Sequence, residues 1–226
     1  MTSPIAIDVW SDIACPWCYI GKRNLERGIE AAAAATGERP DVTVTYRSFE
    51  LAPDTPDDFE GSSLDYLVRV KGIDRQTAAA MQEHVARIAA EAGLIYDFDA
   101  VRQTRTLRAH QLVHLAKREG CQLEMVERLM RAYFCEGRRV GRLDELAALG
   151  SEVGLDPDTI RDALVRDALL GDVRADQAQA AAYGITAVPF FVVDGRYGVA
   201  GAQPPQVIAR VLAQVGALSR TDTAAE

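Results

Sequence analysis

Residues 5–22 read IAIDVWSDIACPWCYIGK, and this stretch decides how the chain begins to fold. Ile5 to Trp10 is rich in β-branched and aromatic residues and lies between a proline and a Ser-Asp pair, which predicts a short buried strand. From Pro16 onward, apolar residues recur at helical spacing until a break that begins at Gly37. We therefore predict a strand that turns directly into a helix, with two cysteines at the junction.

Further strand patterns complete a small α/β framework. The alternating, β-branched run Val42 to Tyr46 predicts a second strand. Near the other end, Pro189–Val193 and Tyr197–Ala200 are strand-like and are joined by Asp194-Gly195-Arg196, and Asp-Gly suits the tight turns of hairpins. We expect a final helix from Pro204 to about Val215.

The long segment between Pro53 and about Gly184 has a different pattern. It is rich in Ala, Leu, Arg and Glu, its apolar residues recur at helical spacing, and glycines separate successive stretches. This pattern predicts about five to seven helices between the second strand and the hairpin.

The pair in Cys15-Pro16-Trp17-Cys18 lies at the predicted start of a helix. Unpaired backbone N–H groups and the positive end of the helix dipole favour a thiolate at Cys15. Pro16 suits the first turn, where no N–H is required. Residues three apart in a helix have Cβ atoms roughly 5–6 Å apart, so a small adjustment permits a disulfide. We predict that Cys15 attacks as a thiolate and that Cys18 is its resolving partner.

Metal binding is the alternative for a Cys-x-x-Cys pair, but a zinc site needs two further ligands. The remaining cysteines and two of the histidines show no second Cys-x-x-Cys and no zinc-finger spacing: Cys121, Cys135, His110 and His114. His110 and His114 would share a helix face without the Glu of a metalloprotease motif, so a structural or surface role is expected for His114. His84 is expected to face solvent. We predict no metal and no cofactor.

Three further positions keep alternatives open. Cys121 and Cys135 fall in predicted helices, where free cysteines commonly behave as small buried hydrophobes. A second redox pair is the alternative, because the sequence does not place their Cα atoms. Asp12 either accepts a proton from the cysteines or caps the turn. Trp17 is expected to be exposed and to contact substrate.

Composition and charge exclude several classes of partner. The chain has 226 residues and a formal net charge of -8, which opposes a phosphate-binding surface, so we expect no nucleic acid. No apolar run approaches the length of a membrane span, and the N-terminus lacks the pattern of a secretory signal. We therefore expect a cytoplasmic protein without membrane contact. Stable structural disulfides are rare in the cytoplasm, so a close cysteine pair there is more often catalytic or metal-binding.

The residues around the cysteines resemble a known family, the cytoplasmic FrnE-like branch of the DsbA family. The similarity runs from about residue 5 to residue 215, and the cysteine and Val-Pro-Phe-Phe segments are its most specific parts. It is carried by Ser11–Lys22 (SDIACPWCYIGK), Phe49–Leu51 (FEL), Ala187–Phe191 (AVPFF) and Gly201–Gln203 (GAQ), and within the helical segment by Gly93–Asp99 and Ala132–Gly137.

The resemblance implies an α/β protein with a thioredoxin-like fold interrupted by a large all-helical insertion. It also implies a cis peptide between Val188 and Pro189, next to the cysteine pair. Relatives commonly carry Asn-Thr where this chain has Arg105-Thr106, so the substrate contacts of that segment are not carried over. The expected substrate-binding residues are Pro16, Trp17, Val188, Pro189 and His110.

We accordingly divide the chain into four segments. Residues 1–55 form the first half of the thioredoxin-like domain and residues 56–182 the helical insertion. Residues 183–218 form the second half, and residues 219–226 are a flexible tail because they are small and polar.

The leading hypothesis is a thiol–disulfide oxidoreductase or isomerase that acts on protein or small-molecule thiols and disulfides, glutathione among them. A sister branch contains hydroxychromene carboxylate isomerases and kappa-class glutathione transferases, which typically use Ser where this chain has Cys15. A glutathione-dependent transferase or isomerase is therefore the alternative, and its activity would survive loss of Cys18. A third hypothesis is a chaperone or partner-binding module, whose activity would survive loss of both cysteines.

Overall fold

A computed structural model of the chain describes residues 4–37, 39–57 and 59–223. Within these residues there are four strands and nine helices. In chain order they are β1 (Ile5–Ser11), α1 (Pro16–Thr36), β2 (Val42–Ser48), α2 (Ser63–Arg69), α3 (Arg75–Glu91), α4 (Leu107–Arg118), α5 (Gln122–Cys135), α6 (Leu143–Ser151), α7 (Pro157–Val165), α8 (Leu170–Ala182), β3 (Phe190–Val193), β4 (Tyr197–Ala200) and α9 (Pro205–Thr223). The predicted strands are confirmed, and the helices α2 to α8 form the predicted all-helical insertion between β2 and β3.

The four strands form one mixed sheet in the order β2-β1-β3-β4. β1 and β2 are parallel and are connected through α1, whereas β3 runs antiparallel to both β1 and β4. The turn between β3 and β4 has positive φ at Asp194 (54°) and Gly195 (66°), as the predicted Asp-Gly turn requires. The Arg196 N–H closes it by donating to the Val193 carbonyl oxygen at 3.1 Å.

Close helix packing holds α1 against the sheet. α1 packs along α9, which also contacts β1. A Cβ atom at Gly28 would lie 2.6 Å from Cβ of Ile208, so the two helices approach more closely than any larger residue at position 28 permits. The buried side chains of β1, such as Ile7 and Val9, belong to the same hydrophobic core as α1.

The outer edge of the sheet is covered by the helical insertion. The Tyr46 N–H donates to Oε1 of Gln122 at 3.1 Å, and Nε2 of Gln122 donates to the Tyr46 carbonyl oxygen at 3.0 Å. A side-chain amide thus takes the place of a further strand and satisfies the edge of β2. Since Gln122 begins α5, this contact docks the insertion on the sheet.

Helix α9 corrects one prediction. It continues past Val215 to Thr223, because Gly216 is tolerated inside a helix at a cost of about 1 kcal/mol and Ala217 and Leu218 are good helix formers. The predicted flexible tail 219–226 therefore begins inside this helix, and residues 224–226 lie outside the described part. The other segment boundaries, at 55, 182 and 218, stay predictions. No helix among the described residues is long and apolar enough to cross a membrane.

Candidate active site

Cys15 lies at the N-terminus of α1, as predicted. It is the N-cap residue with an extended backbone, and Pro16 occupies the first turn. No side chain caps this end of the helix, and its first turn contains no acidic residue. The first N–H groups of a helix have no intrahelical partner and carry partial positive charge, so they favour an anion at this position.

Cys18 lies one turn further into the helix. Its N–H donates to the Cys15 carbonyl oxygen at 3.0 Å, both cysteines are free and buried, and Cys18 is only 1% exposed. Burial raises the pKa of the Cys18 thiol well above its usual value, and the neighbouring Cys15 raises it further. The inner thiol therefore keeps its proton at neutral pH.

The loop before β3 lies against Cys15. The peptide between Val188 and Pro189 is cis, which confirms the expectation from the family resemblance. The Cys15 thiol donates to the Val188 carbonyl oxygen at 3.7 Å. Gly21 permits this packing, because a Cβ atom there would lie 2.8 Å from Cγ of Pro189. The sequence prediction missed Gly21, although it lies within the quoted cysteine segment.

Asp12 is a buried carboxylate next to the cysteines. Its Oδ2 accepts the Leu51 N–H at 2.8 Å, its Oδ1 lies 3.4 Å from Nε2 of His110, and its carbonyl oxygen accepts the Cys15 N–H at 3.2 Å. Burial acts to raise the pKa of Asp12, but the contacts with His110, Leu51 and Thr106 outweigh it and hold the pKa below its usual range. His110 thus contacts Asp12, and Asp12 in turn contacts the start of the cysteine segment.

The side chain of Asp12 also accepts the Ala14 N–H at 3.3 Å. This bond spans two residues, as in an Asx turn, so the turn-capping alternative for Asp12 is confirmed. The proton-acceptor alternative stays a hypothesis.

The other histidines lie away from the cysteines. His114 is buried, and its Nε2 lies 3.0 Å from Oγ of Ser48 and 3.1 Å from Oδ2 of Asp176. It therefore joins α4, β2 and α8, in agreement with the structural role predicted for it. His84 is exposed, as predicted. Among the described residues, no group of three or more His, Cys, Asp and Glu side chains is placed to hold a metal ion.

Cys121 and Cys135 do not form a pair. Cys121 is the N-cap residue of α5 and Cys135 is its last residue, so the 14-residue helix separates them by about 20 Å at 1.5 Å per residue. A disulfide needs Cα atoms within about 7 Å, so the hypothesis of a second redox pair is wrong. The expectation that both lie inside helices is also corrected, because Cys121 lies at a helix start. Burial and the charges of Glu124 and Glu119 nevertheless raise its pKa.

A cavity of about 280 Å³ opens beside the first turn of α1. Pro16 and Trp17 form one wall, and Trp17 is 38% exposed, as predicted. The opposite wall belongs to the insertion and is mostly apolar; among its residues are Leu67, Met81, Val85, Phe98, Val101 and Phe134. The cavity therefore lies between the cysteine motif and the helical insertion.

Two contacts of the insertion with the motif region could not be placed from the sequence. The Tyr96 hydroxyl donates to the Pro16 carbonyl oxygen at 2.8 Å. Arg105, the residue at which the chain departs from the family pattern, forms an ion pair with Glu50, with Nε 3.1 Å from Oε1. Tyr96 lies in the segment Gly93–Asp99 that carried the resemblance, which is the only sequence signal that pointed to it.

Comparisons with known proteins agree with this geometry. The chain is 31% identical over 193 residues to the uncharacterized protein YwbO of Bacillus subtilis strain 168, which covers 84% of this chain and 86% of YwbO. The crystal structure of the probable DsbA oxidoreductase SCO1869 from Streptomyces coelicolor is similar with a TM-score of 0.84 and 37% identity, covering 93% of this chain and 89% of SCO1869.

A more distant structure has the same fold. The cytosolic disulfide reductase DsbM from Pseudomonas aeruginosa, solved with GSH, is 23% identical with a TM-score of 0.62, covering 93% of this chain and 98% of DsbM. The model of the family described as DSBA-like thioredoxin domain matches residues 6–213. This match spans the strand–helix junction, the insertion and the hairpin, and the chain therefore belongs to the family of DSBA-like thioredoxin domains.

Proposed function

We propose that this chain is a thiol–disulfide oxidoreductase in which Cys15 attacks and Cys18 resolves. The observation that carries the proposal is the unequal placement of the two sulfurs. Cys15 is the N-cap residue of α1, where the first N–H groups have no side-chain partner, whereas Cys18 lies one turn deeper in the helix and the pKa of its thiol is raised. An anion is favoured at the first position and disfavoured at the second, so the two thiols suit different steps of one reaction.

The reaction proceeds in two exchanges. The Cys15 thiolate attacks a substrate disulfide, forms a mixed disulfide, and releases the first substrate sulfur as a thiolate that takes up a proton. Cys18 then loses its proton and attacks the Cys15 sulfur. The bond between Cys15 and the substrate breaks, and the second substrate sulfur leaves with the electron pair. The substrate gains two electrons and the protein becomes the disulfide; an oxidised protein with a dithiol substrate runs the same steps in reverse.

The substrate-binding part of the proposal rests on the surroundings of Cys15. Val188 and Pro189 pack beside the attacking sulfur, and Pro16 and Trp17 form a wall of the apolar cavity. We propose that a protein or small-molecule disulfide presents apolar groups to this cavity while its sulfur meets Cys15. His110 acts on this site through Asp12. Membership of the FrnE-like branch and a cytoplasmic location stay predictions. The cytosolic DsbM shares the fold of this chain.

A direct test compares Cys15→Ser with Cys18→Ser. Cys15→Ser should abolish exchange, whereas Cys18→Ser should retain a nucleophile and accumulate a mixed disulfide with a model peptide disulfide, detected by mass spectrometry. Alkylation by iodoacetamide at pH 5 should modify Cys15 first. Preferential modification of Cys18, or exchange that survives Cys15→Ser, would contradict the assigned roles.

Glutathione-dependent transfer or isomerisation is the second candidate, and the presence of GSH in the DsbM structure is the observation that favours a small-thiol partner. The two candidates differ in their need for Cys18. A transferase or isomerase should show saturable glutathione binding by calorimetry and retain turnover in Cys18→Ser, whereas an oxidoreductase should lose multiple turnover in that variant.

A further inference from the structure

Ser11 is a buried residue without a hydrogen-bond partner for its side chain. It ends β1 and is 4% exposed, and its Oγ is unpaired among the described residues. Ser48, its register partner in β2, is buried to a similar degree, but its Oγ bonds to Nε2 of His114 at 3.0 Å. Because buried hydroxyls are rarely left unpaired, the Ser11 side chain requires an explanation.

Ser11 lies on the same face of β1 as Val9, because side chains alternate along a strand. The register partner of Val9, Phe191, lies 3.4 Å from a Cβ atom built at Gly21 of α1, so this face of the sheet packs on the helix that carries Cys18. Burial has the largest effect on the pKa of Cys18 and raises it, while the Asp12 N–H and the Ser11 hydroxyl act in the opposite direction. Ser11 is the last residue of β1 and Asp12 directly follows it. A neutral thiol is a weak acceptor, whereas a thiolate accepts strong charge-assisted hydrogen bonds.

We propose that Ser11 donates a hydrogen bond to the Cys18 thiolate while the mixed disulfide is resolved. This inference rests on the proposed function. In that step Cys18 gives its proton to solvent, its sulfur bonds to the Cys15 sulfur, and the Cys15–substrate bond breaks; the substrate thiolate leaves with the electron pair and is protonated. Negative charge exists on Cys18 only during this step, so the hydroxyl is unpaired in the dithiol and gains its partner as the charge forms.

Removal of this hydroxyl should affect one step alone. A hydrogen bond to the Cys18 thiolate raises the fraction of that thiol that is ionised, but the nucleophilicity of a thiolate falls as the pKa of its thiol falls, with a Brønsted slope of about 0.4–0.5. Ser11→Ala should therefore slow resolution by roughly four- to fifteenfold at pH 7. The attack by Cys15, the reduction potential at pH 7 and the unfolding free energy of the dithiol protein should not fall, because the hydroxyl is unpaired in the resting dithiol.

The two steps can be timed separately with 5,5′-dithiobis(2-nitrobenzoate), whose yellow thiolate is released once by attack and once by resolution. The parent protein is the full-length chain with Cys121→Ala and Cys135→Ala, so that Cys15 and Cys18 are its only thiols.

Stopped-flow traces from pH 5 to pH 9 would compare this parent with Ser11→Ala, Ser11→Thr and the control Ser48→Ala. Ser11→Ala should slow only the second release and move its pH midpoint upward, and Ser11→Thr should restore both. Ser48→Ala should lower the unfolding free energy and leave both releases unchanged.

A second release at the parental rate and pH midpoint in Ser11→Ala would overturn the inference. Equal slowing of both releases with a lowered unfolding free energy, not restored by Ser11→Thr, would also overturn it by showing a structural role. If the parent gives no second release at all, the proposed function itself fails and the role of Ser11 fails with it, so the two failures are distinguishable.

Discussion

Cys15 Sγ lies 3.7 Å from the carbonyl oxygen of Val188, so the Cys15 sulfur is in direct contact with the loop before β3. Gly21 is the residue that permits this arrangement. A Cβ atom at position 21 would lie 2.8 Å from Cγ and 3.4 Å from Cβ of Pro189, closer than packed side chains tolerate. The contact between α1 and Pro189 therefore requires glycine at position 21, one turn after Cys18.

Gly21→Ala should displace the Val188–Pro189 loop from α1. Overpacking of a close contact typically costs about 1–3 kcal/mol, so we expect the free energy of unfolding in urea to fall by that amount and peptide-disulfide exchange to slow. The matched control is Gly171→Ala, because Gly171 lies in α8 with no atom near its missing Cβ, and alanine is there the better helix former. Wild-type stability and exchange in Gly21→Ala would show that the loop accommodates the methyl group.

Local sequence signals were sufficient for the framework of the fold. Alternation of β-branched residues marked β2, and Asp-Gly marked the turn after β3, because both signals depend only on neighbouring residues. The end of α9 was placed too early, since a single Gly216 lowers helix stability without ending the helix. The cis peptide before Pro189 was expected from the family resemblance alone.

The contacts that build the site were mostly beyond sequence reasoning. Asp12 meets His110 across 98 positions, and Tyr19 meets Glu127 across 108. Helical periodicity states which face of α4 or α5 is buried, but it does not state which strand or loop that face meets. That the Ser11 hydroxyl is buried without a hydrogen-bond partner is likewise not predictable from the sequence, because it depends on which residues the fold places around it.

Replacing Cys121 and Cys135 with Ala should leave disulfide exchange within about twofold of wild type, because α5 holds the two thiols about 20 Å apart. Burial raises the pKa of both thiols, so neither is an attacking thiolate at neutral pH. Mass tagging after equilibration with oxidised glutathione should find both thiols still free when Cys15 and Cys18 have become a disulfide. Joint loss of the two tags would instead reveal a second redox centre.

The stability of the fold should depend on the ionisation of Glu127 at acidic pH. Burial acts to raise its pKa, but hydrogen bonds from Lys22, Tyr19 and Arg23 lower the pKa to about 2. Because the pKa is lower in the folded state, the ionised group stabilises the fold above about pH 4.5, and this contribution is lost as the pH falls toward 2. The shift in pKa corresponds to a stabilisation of at most about 3 kcal/mol. Solvent screening reduces this value, because the Glu127 side chain is 29% exposed.

Glu127→Gln should therefore lower the free energy of unfolding at pH 7 and match wild type near pH 2. The loss at pH 7 includes the cost of leaving the buried Lys22 with Glu26 as its remaining partner. Glu152→Gln is the control, because Glu152 pairs with Arg128 and Arg138 at the surface and should cost less than about 1 kcal/mol. An equal loss at both pH values for Glu127→Gln would indicate a packing defect rather than a charge effect.

His110→Phe should change the direction in which the fold shifts the pKa of Asp12. In wild type the pKa of Asp12 is lowered by His110 against the effect of burial, so the ionised carboxyl stabilises the fold above about pH 4 and loses this effect as the pH falls through the folded pKa. Without His110, burial acts on a carboxylate that keeps fewer donors, and its folded pKa should rise. The ionised form then destabilises the fold as the pH increases.

The deficit of His110→Phe relative to wild type should therefore be largest at pH 7, at roughly 1–3 kcal/mol, and should shrink as the pH falls from the raised folded pKa of Asp12 in the variant through its lowered folded pKa in wild type. Urea unfolding from pH 3 to pH 7 measures this difference, and His84→Phe, at an exposed position of α3, provides the matched control with no pH-dependent deficit. Exchange should also slow in His110→Phe, because Asp12 accepts the N–H of Cys15 through its backbone and positions the start of α1. A deficit that stays constant across this pH range would show that His110 contributes packing alone and leaves the charge of Asp12 unchanged.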